Sequence, residues 1–168
     1  MEKLRGIAWR FGDNIDTDQI IPARYCNTFD PEQLSGHAME GASPDFAKRV
    51  APGDIIVAGR NFGCGSSREA APVALKAAGV GAVIAHSFGR LFYRNAVNIG
   101  LYIMICEAAS GIIKSGEELV IDPATNIVHS NTTARAFRCE PFPDYISDIV
   151  DSGGMVNYVK KRLAKEKD

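Results

Sequence analysis

The stretch Gly59-Arg60-Asn61-Phe62-Gly63-Cys64-Gly65-Ser66-Ser67-Arg68-Glu69 holds the densest set of chemically useful groups in the sequence. It follows the apolar run Ile55-Ile56-Val57-Ala58 and leads into an alanine-rich run. A glycine loop before a helix whose first residues include Ser66, Ser67, Arg68 and Glu69 would aim several unpaired backbone N–H groups at one spot. Glycines let that backbone approach a ligand closely. Arg68 adds a planar pair of donors that matches a carboxylate. Local physics alone therefore describes an anion site. A serine there gains a further use, because the same donors would stabilise its alkoxide and make it a strong base beside a bound carboxylate. The competing reading is structural: Ser66 or Ser67 caps the helix, and Glu69 or Ala70 occupies its first turn. From the residues alone, the cap is the stronger of the two.

Other chemistries fit less well. Gly63-x-Gly65-x-x-Arg68 lacks the third glycine of a dinucleotide fingerprint, no Gly-Lys-Ser/Thr follows for a P-loop, and there is no Gly-x-Ser-x-Gly elbow. Cys64 as a nucleophile would need a base, and no local pattern marks His37, His86 or His129 as one. The acidic segment Gly12-Asp13-Asn14-Ile15-Asp16-Thr17-Asp18 lacks the glycine and the distal glutamate of a calcium loop, so it reads as a set of Asx turns. Four cysteines, Cys26, Cys64, Cys106 and Cys139, form no Cys-x-x-Cys pair. That leaves neither a zinc ribbon nor a ferredoxin-type motif, and no metal ligand set is expected in this chain. In a reducing compartment Cys26, Cys106 and Cys139 read as small buried hydrophobes.

The elements that must position the loop follow from apolar runs and their punctuation. Leu4 to Arg10 reads as a strand. Asp30-Pro31-Glu32 opens a short helix toward Met39, and Ser43-Pro44 opens another. Ile55 to Ala58 is a strand buried on both faces, launched by the turn Pro52-Gly53-Asp54. A helix from about Ser67 to Ala78 stops at Gly79, and Ala82 to Ala85 is a second buried strand. Strand, loop, helix and strand form a right-handed βαβ unit that carries the loop at the C-terminal edge of its first strand. A helix from Phe88 to Val97, strands near Leu101–Ile105, Glu118–Ile121 and Thr132–Phe137, and a last helix from about Met155 complete an α/β fold with a mixed sheet. Arg90 and Arg94 share one helix face. Asp16 and Asp18 are expected to order the following loop or to bind Arg90. Trp9, Phe88, Phe92 and Tyr93 read as core or interface.

With 168 residues, 46% hydrophobic and 23% charged, the chain has the balance of one compact domain over residues 1–168. A formal net charge of -1 and scattered cations argue against a nucleic-acid stripe. The basic cluster Lys160, Lys161, Arg162, Lys165 and Lys167 reads as the solvated end of a helix. Met1 to Arg5 has no apolar core and no run reaches the length of a membrane span, so no membrane partner and a cytoplasmic location are expected.

The segment Asn61–Glu69 resembles the signature of the swivelling domain of the aconitase family. Asp16-Thr17-Asp18-Gln19-Ile20-Ile21-Pro22-Ala23-Arg24-Tyr25 and Ser87-Phe88-Gly89-Arg90-Leu91-Phe92-Tyr93-Arg94-Asn95 are similar to two further blocks of that family, in the same order. The similarity runs over most of the chain. In this family the domain is a separate chain in 3-isopropylmalate dehydratases and archaeal homoaconitases. The resemblance thus implies an aconitase-type swivel domain of β/β/α layers, acting as the small subunit of a heteromeric hydro-lyase on a small hydroxy-dicarboxylic acid. On the matching positions Ser66 is the base, and Ser67 with Arg68 hold the substrate carboxylate. Dehydration also needs a hydroxyl to leave, which calls for a Lewis acid. The resemblance places a [4Fe-4S] cluster on a larger partner subunit and the active site between the two chains.

The family's substrate-recognition loop falls on Tyr25-Cys26-Asn27-Thr28, with Arg24 just before it and also within reach of a substrate. In homoaconitase-like members an arginine in that tetrad pairs with an extra substrate carboxylate, whereas Cys26 and Asn27 supply no charge. A small or branched apolar substituent is therefore expected over a charged one. The best match is 3-isopropylmalate, isomerised through isopropylmaleate in leucine biosynthesis. The alternatives are 2,3-dimethylmalate, citraconate or citramalate, and homoaconitate. A non-catalytic anion-binding module is the reading from a different class. Ala70 stands where many relatives carry histidine.

Overall fold

The structure, a computed structural model, describes residues 2–165. Met1 and residues 166–168, with Lys167 of the basic cluster, lie outside them. Seven strands form one sheet: β1 (Leu4–Arg10), β2 (Ile55–Ala58), β3 (Ala82–Ala85), β4 (Tyr102–Ile105), β5 (Glu118–Asp122), β6 (Ile127–Ser130) and β7 (Arg135–Arg138). Their order is β4-β3-β2-β1-β5-β6-β7. The first four are parallel to one another, and β5, β6 and β7 continue antiparallel from β1. The sheet is mixed, as the sequence implies.

Each residue of β2 and β3 is fully buried, which is what a continuous apolar run in the middle of a parallel sheet requires. The turn before β2 is fixed by Asp54. Its carboxylate accepts from the backbone N–H of Ile7 (3.0 Å) and Ala51 (2.9 Å) and from Trp9 Nε1 (2.8 Å), tying β1 to β2. Because the parallel strands are added one beside the last, right-handed crossovers put their connections on one face of the sheet. These connections include α1 (Thr17–Ile20), α2 (Pro31–Ser35), α3 (Phe46–Arg49), α4 (Ala70–Ala77) and α5 (Arg90–Asn98). The helix α6 (Glu107–Ile112) packs on β2, β3 and β7, inside the curl of the sheet. The last helices, α7 (Asp144–Asp151) and α8 (Met155–Lys165), pack against α5. Among the described residues the apolar side chains form one continuous core.

Several expectations are corrected. The helix after Pro31 ends at Ser35 rather than Met39, whose backbone instead turns left-handed at φ 58°. The helix expected from Ser67 begins at Ala70, so Ser66, Ser67, Arg68 and Glu69 belong to the loop. The acidic segment does contain an Asx cap, but it opens the short helix α1: Asp16 accepts from Gln19 N at 2.8 Å, and Gln19 Oε1 accepts from Asp16 N at 3.0 Å. The last strand runs over Arg135–Arg138, not from Thr132, and β6, α6 and α7 are additions to the expected set.

Cys106 and Cys139 are joined as a disulfide, with their Cα atoms 4.4 Å apart, rather than standing as separate thiols. They sit at the ends of β4 and β7, the two outer strands of the sheet. Glu140 N donates to Ile105 O at 2.9 Å beside them. The sheet is therefore curled far enough for its two edges to meet at one end.

Candidate active site

The three sequence blocks that carry the family resemblance converge at the C-terminal edge of β2. Phe62, fully buried, packs edge-on against Phe92 of α5 with ring centroids 5.3 Å apart. The next residue, Gly63, has φ +78°, and a Cβ there would lie 2.2 Å from the Phe92 ring, so only glycine fits between loop and helix. Ser87 holds the loop from the β3 side, accepting from Asn61 N through its hydroxyl (2.9 Å) and from Phe62 N through its carbonyl (3.0 Å). From the β1 side, Gly63 N donates to Ile15 O (2.7 Å), Thr17 N to Cys64 O (2.9 Å) and Thr17 Oγ1 to Ser66 O (3.1 Å). The loop is thus gripped by its carbonyls and by the N–H groups up to Cys64.

Beyond Cys64 the pattern changes. None of the backbone N–H groups of residues 65–70 has an acceptor among the described residues. Glu69, at the cap position of α4, provides no side-chain cap. Ser66 and Ser67 are exposed, and neither hydroxyl donates to or caps the helix. The capping reading of these serines therefore fails. What remains is a run of free donors at the positive end of an eight-residue helix, with two exposed hydroxyls among them.

Arg68 extends from this run toward α1. Its Nη1 donates to Asp18 Oδ1 at 2.7 Å and to Ile21 O at 3.2 Å. Asp18 therefore binds Arg68, not Arg90, and the hydrogen bond from Arg68 holds its carboxyl below the usual aspartate range. The pair orients the guanidinium while its Nε and Nη2 have no described partner. Cys64 is half-buried, and burial, with the Asp16 charge beside it, pushes its thiol pKa up. It is a poor thiolate, and no imidazole bonds to it: His86 Nε2 accepts from Arg60 and His37 pairs with Glu40.

The segment expected to recognise the substrate is a single 3-10 turn, Ala23–Tyr25, followed by Cys26, Asn27 and Thr28 on the surface. Its start is tied to the α1 side of the site, since Ala23 N donates to Asp18 Oδ1 at 3.0 Å. One carboxylate therefore touches both Arg68 and the recognition turn. Cys26 is half-exposed, with its thiol 3.7 Å from Pro22 O. Arg24 and Tyr25 are both engaged by Glu40, a residue that no sequence signal marked. Among the described residues no group of three or more His, Cys, Asp and Glu side chains could hold a metal ion, and Cys106 and Cys139 are committed to each other.

Residues 39–109 match the family model of the aconitase C-terminal domain. The methanogen homoaconitase small subunit of Methanothermobacter thermautotrophicus is 53% identical over 95% of this chain and 92% of its own length. The 3-isopropylmalate dehydratase small subunit of Caldicellulosiruptor bescii is 50% identical over 97% of this chain and 98% of its own. The isopropylmalate/citramalate isomerase small subunit of Methanocaldococcus jannaschii is 47% identical over 96% of each. A crystal structure of a 3-isopropylmalate dehydratase from the last organism superposes with a TM-score of 0.95 at 44% identity, covering 99% of this chain and 98% of that one. With the loop geometry, these likenesses over nearly the whole length mean that the chain belongs to the aconitase family, among the small subunits of its dehydratases and isomerases.

Proposed function

We propose that the chain is the small subunit of 3-isopropylmalate dehydratase, a cytoplasmic hydro-lyase that interconverts 2- and 3-isopropylmalate through isopropylmaleate in leucine biosynthesis. The observation that carries this reading is the run of unpaired N–H groups at residues 65–70 beside Arg68. A substrate carboxylate placed there is held by backbone donors, by Ser67 and by the free side of the Arg68 guanidinium. Ser66 Oγ lies in the same field of donors, which lowers the cost of an alkoxide and lets it take the proton from the carbon next to that carboxylate. The hydroxyl leaves from the neighbouring carbon, a step that needs a Lewis acid; the family supplies it as a [4Fe-4S] cluster on the large subunit. This division implies that neither chain turns over substrate alone.

The choice of substrate rests on the recognition turn. Cys26, Asn27 and Thr28 are the groups that remain free to meet the substituent, and none is charged. The nearby cation, Arg24, is paired with Glu40 at 2.5 Å and so is not available to an extra carboxylate. A small or branched apolar substituent matches this surface better than the third carboxylate of homoaconitate. 2,3-Dimethylmalate and citramalate share the same uncharged demand and are the alternatives to compare.

The deciding experiment follows the unsaturated acid by ultraviolet absorbance, using this chain reconstituted with its iron-sulfur partner. Ser66→Ala is expected to lower kcat by roughly a hundredfold or more, the usual contribution of a positioned base, with the fold unchanged. Turnover within a few-fold of wild type would return the chain to the class of non-catalytic anion-binding modules.

A further inference from the structure

Glu40 lies on no sequence block that carries the family resemblance, yet it is the hub of the recognition segment. Its Oε1 accepts from Arg24 Nη2 (2.5 Å) and from Tyr25 Oη (2.9 Å), and its Oε2 is 2.6 Å from His37 Nδ1. The His37 ring lies flat on Tyr25, with centroids 3.5 Å apart and planes 7° from parallel. The Arg24 guanidinium covers Tyr25 as well, 4.6 Å from the ring centroid. One exposed ion pair would contribute little. Here one carboxylate joins a cation, a phenol and an imidazole that also stack on one another, so each contact restricts the others. Hydrogen bonding from His37, before any other cause, holds the Glu40 carboxyl below the usual glutamate range, consistent with a carboxylate that is fully charged in place.

The cluster has two consequences for a substrate. It fixes the backbone from Arg24 to Tyr25, so that Cys26, Asn27 and Thr28 leave a rigid turn rather than a mobile one. It also pairs the Arg24 charge, one residue before the tetrad in which homoaconitase-like members use an arginine for an additional substrate carboxylate. We propose that Glu40 is a positioning residue that locks the recognition turn through Arg24, Tyr25 and His37 and keeps its substrate-facing side uncharged. The proposal rests on the dehydratase reading given above and deepens it, because it locates the exclusion of substrates with a further carboxylate outside the loop itself.

The test uses the reconstituted two-subunit enzyme with Glu40→Gln, which keeps the shape of the side chain and removes its charge. Substrates are 3-isopropylmalate and homoisocitrate, the latter carrying a further carboxylate. For 3-isopropylmalate, KM is expected to rise several-fold with kcat nearly constant, because the chemistry at Ser66 is untouched. For homoisocitrate, kcat/KM is expected to rise, shifting the ratio of the two substrates by roughly tenfold or more, the worth of one regained charged hydrogen bond. Adding Arg24→Leu to Glu40→Gln should abolish that gain, and Glu40→Asp should restore the wild-type ratio in part.

An unchanged ratio in Glu40→Gln overturns the proposal, as does a gain that persists without Arg24. A kcat loss equal for both substrates would also overturn it, since that is the mark of a general structural defect. Failure of the dehydratase reading looks different: the wild-type complex would turn over neither acid, and both conclusions would fall together.

Discussion

Replacing Arg68 by lysine separates charge from geometry at the carboxylate site. In the wild type, Nη1 is occupied by Asp18 at 2.7 Å and Ile21 O at 3.2 Å, while Nε and Nη2 remain free for a substrate. A guanidinium can hold Asp18 on one side and a carboxylate on the other; an ammonium is a point charge and cannot present that pair of donors. The variant therefore keeps the positive charge and loses one charge-assisted hydrogen bond to the substrate. Such a bond contributes about 1.5–3 kcal/mol. At about 1.4 kcal/mol per factor of ten, kcat/KM should fall roughly tenfold to 150-fold. Asp18, with 62% of its side chain exposed, is rehydrated when its partner changes. The denaturant midpoint should then stay close to that of the wild type. The assay is the ultraviolet progress curve of the reconstituted enzyme over a range of 3-isopropylmalate concentrations, with denaturation of the isolated chain as control. A loss in kcat/KM below about threefold would refute the assignment of Arg68 to the substrate. A large loss matched by collapse of stability would refute the inference that its role is local.

Three other outcomes follow from the geometry. With Cys106 and Cys139 bonded across 33 residues, the non-reduced chain should take up alkylating reagent at Cys26 and Cys64 only, read by mass spectrometry after denaturation. Paired Cys106→Ser and Cys139→Ser substitutions should cost about 4 kcal/mol in denaturant unfolding by the chain-entropy relation. The Glu40 cluster should show in the acid limb of stability. Because the folded pKa is depressed, its contribution is fully present above the unfolded glutamate pKa of about 4.3 and is lost as pH falls through the lower folded value. The midpoint difference between wild type and Glu40→Gln should thus be full at pH values near 6 and shrink toward zero in strong acid; a difference that persists there would count against the network.

The parallel half of the sheet was legible because its signals are local. The runs Ile55–Ala58 and Ala82–Ala85 are apolar at every position, and Gly79, at φ +94°, ends the helix between them as the sequence suggested. The antiparallel half was less so. β6 alternates buried and exposed over only Val128, His129 and Ser130, too short a pattern to stand out. The Pro123–Asn126 turn before it was the usable clue, with Asn126 at a left-handed φ of 55°. At the site, residue types marked Ser66, Ser67 and Arg68, but no rule of spacing relates Asp18 to Arg68 or Glu40 to Tyr25. Asp18 meets Arg68 because α1 is folded against the loop through Thr17 and Ser66, and Glu40 meets Tyr25 because its chain neighbours Met39 and Gly41 donate back to Ile20 O and Gln19 O. The start of α4 at Ala70 was equally hidden, since Ser-Ser-Arg-Glu satisfies the local rules for a first helical turn while tertiary bonds hold it open.

An open sheet presents two outer strands whose unpaired backbone groups invite another chain to add on, the usual route to aggregation and strand exchange. In this subunit the ends of those two strands are tied to each other, through the bond between Cys106 and Cys139 and the contact from Glu140 N to Ile105 O. Near that junction each edge meets the other instead of a neighbour in solution. The junction that closes the sheet thus also shields its two edges from pairing with another copy of the chain.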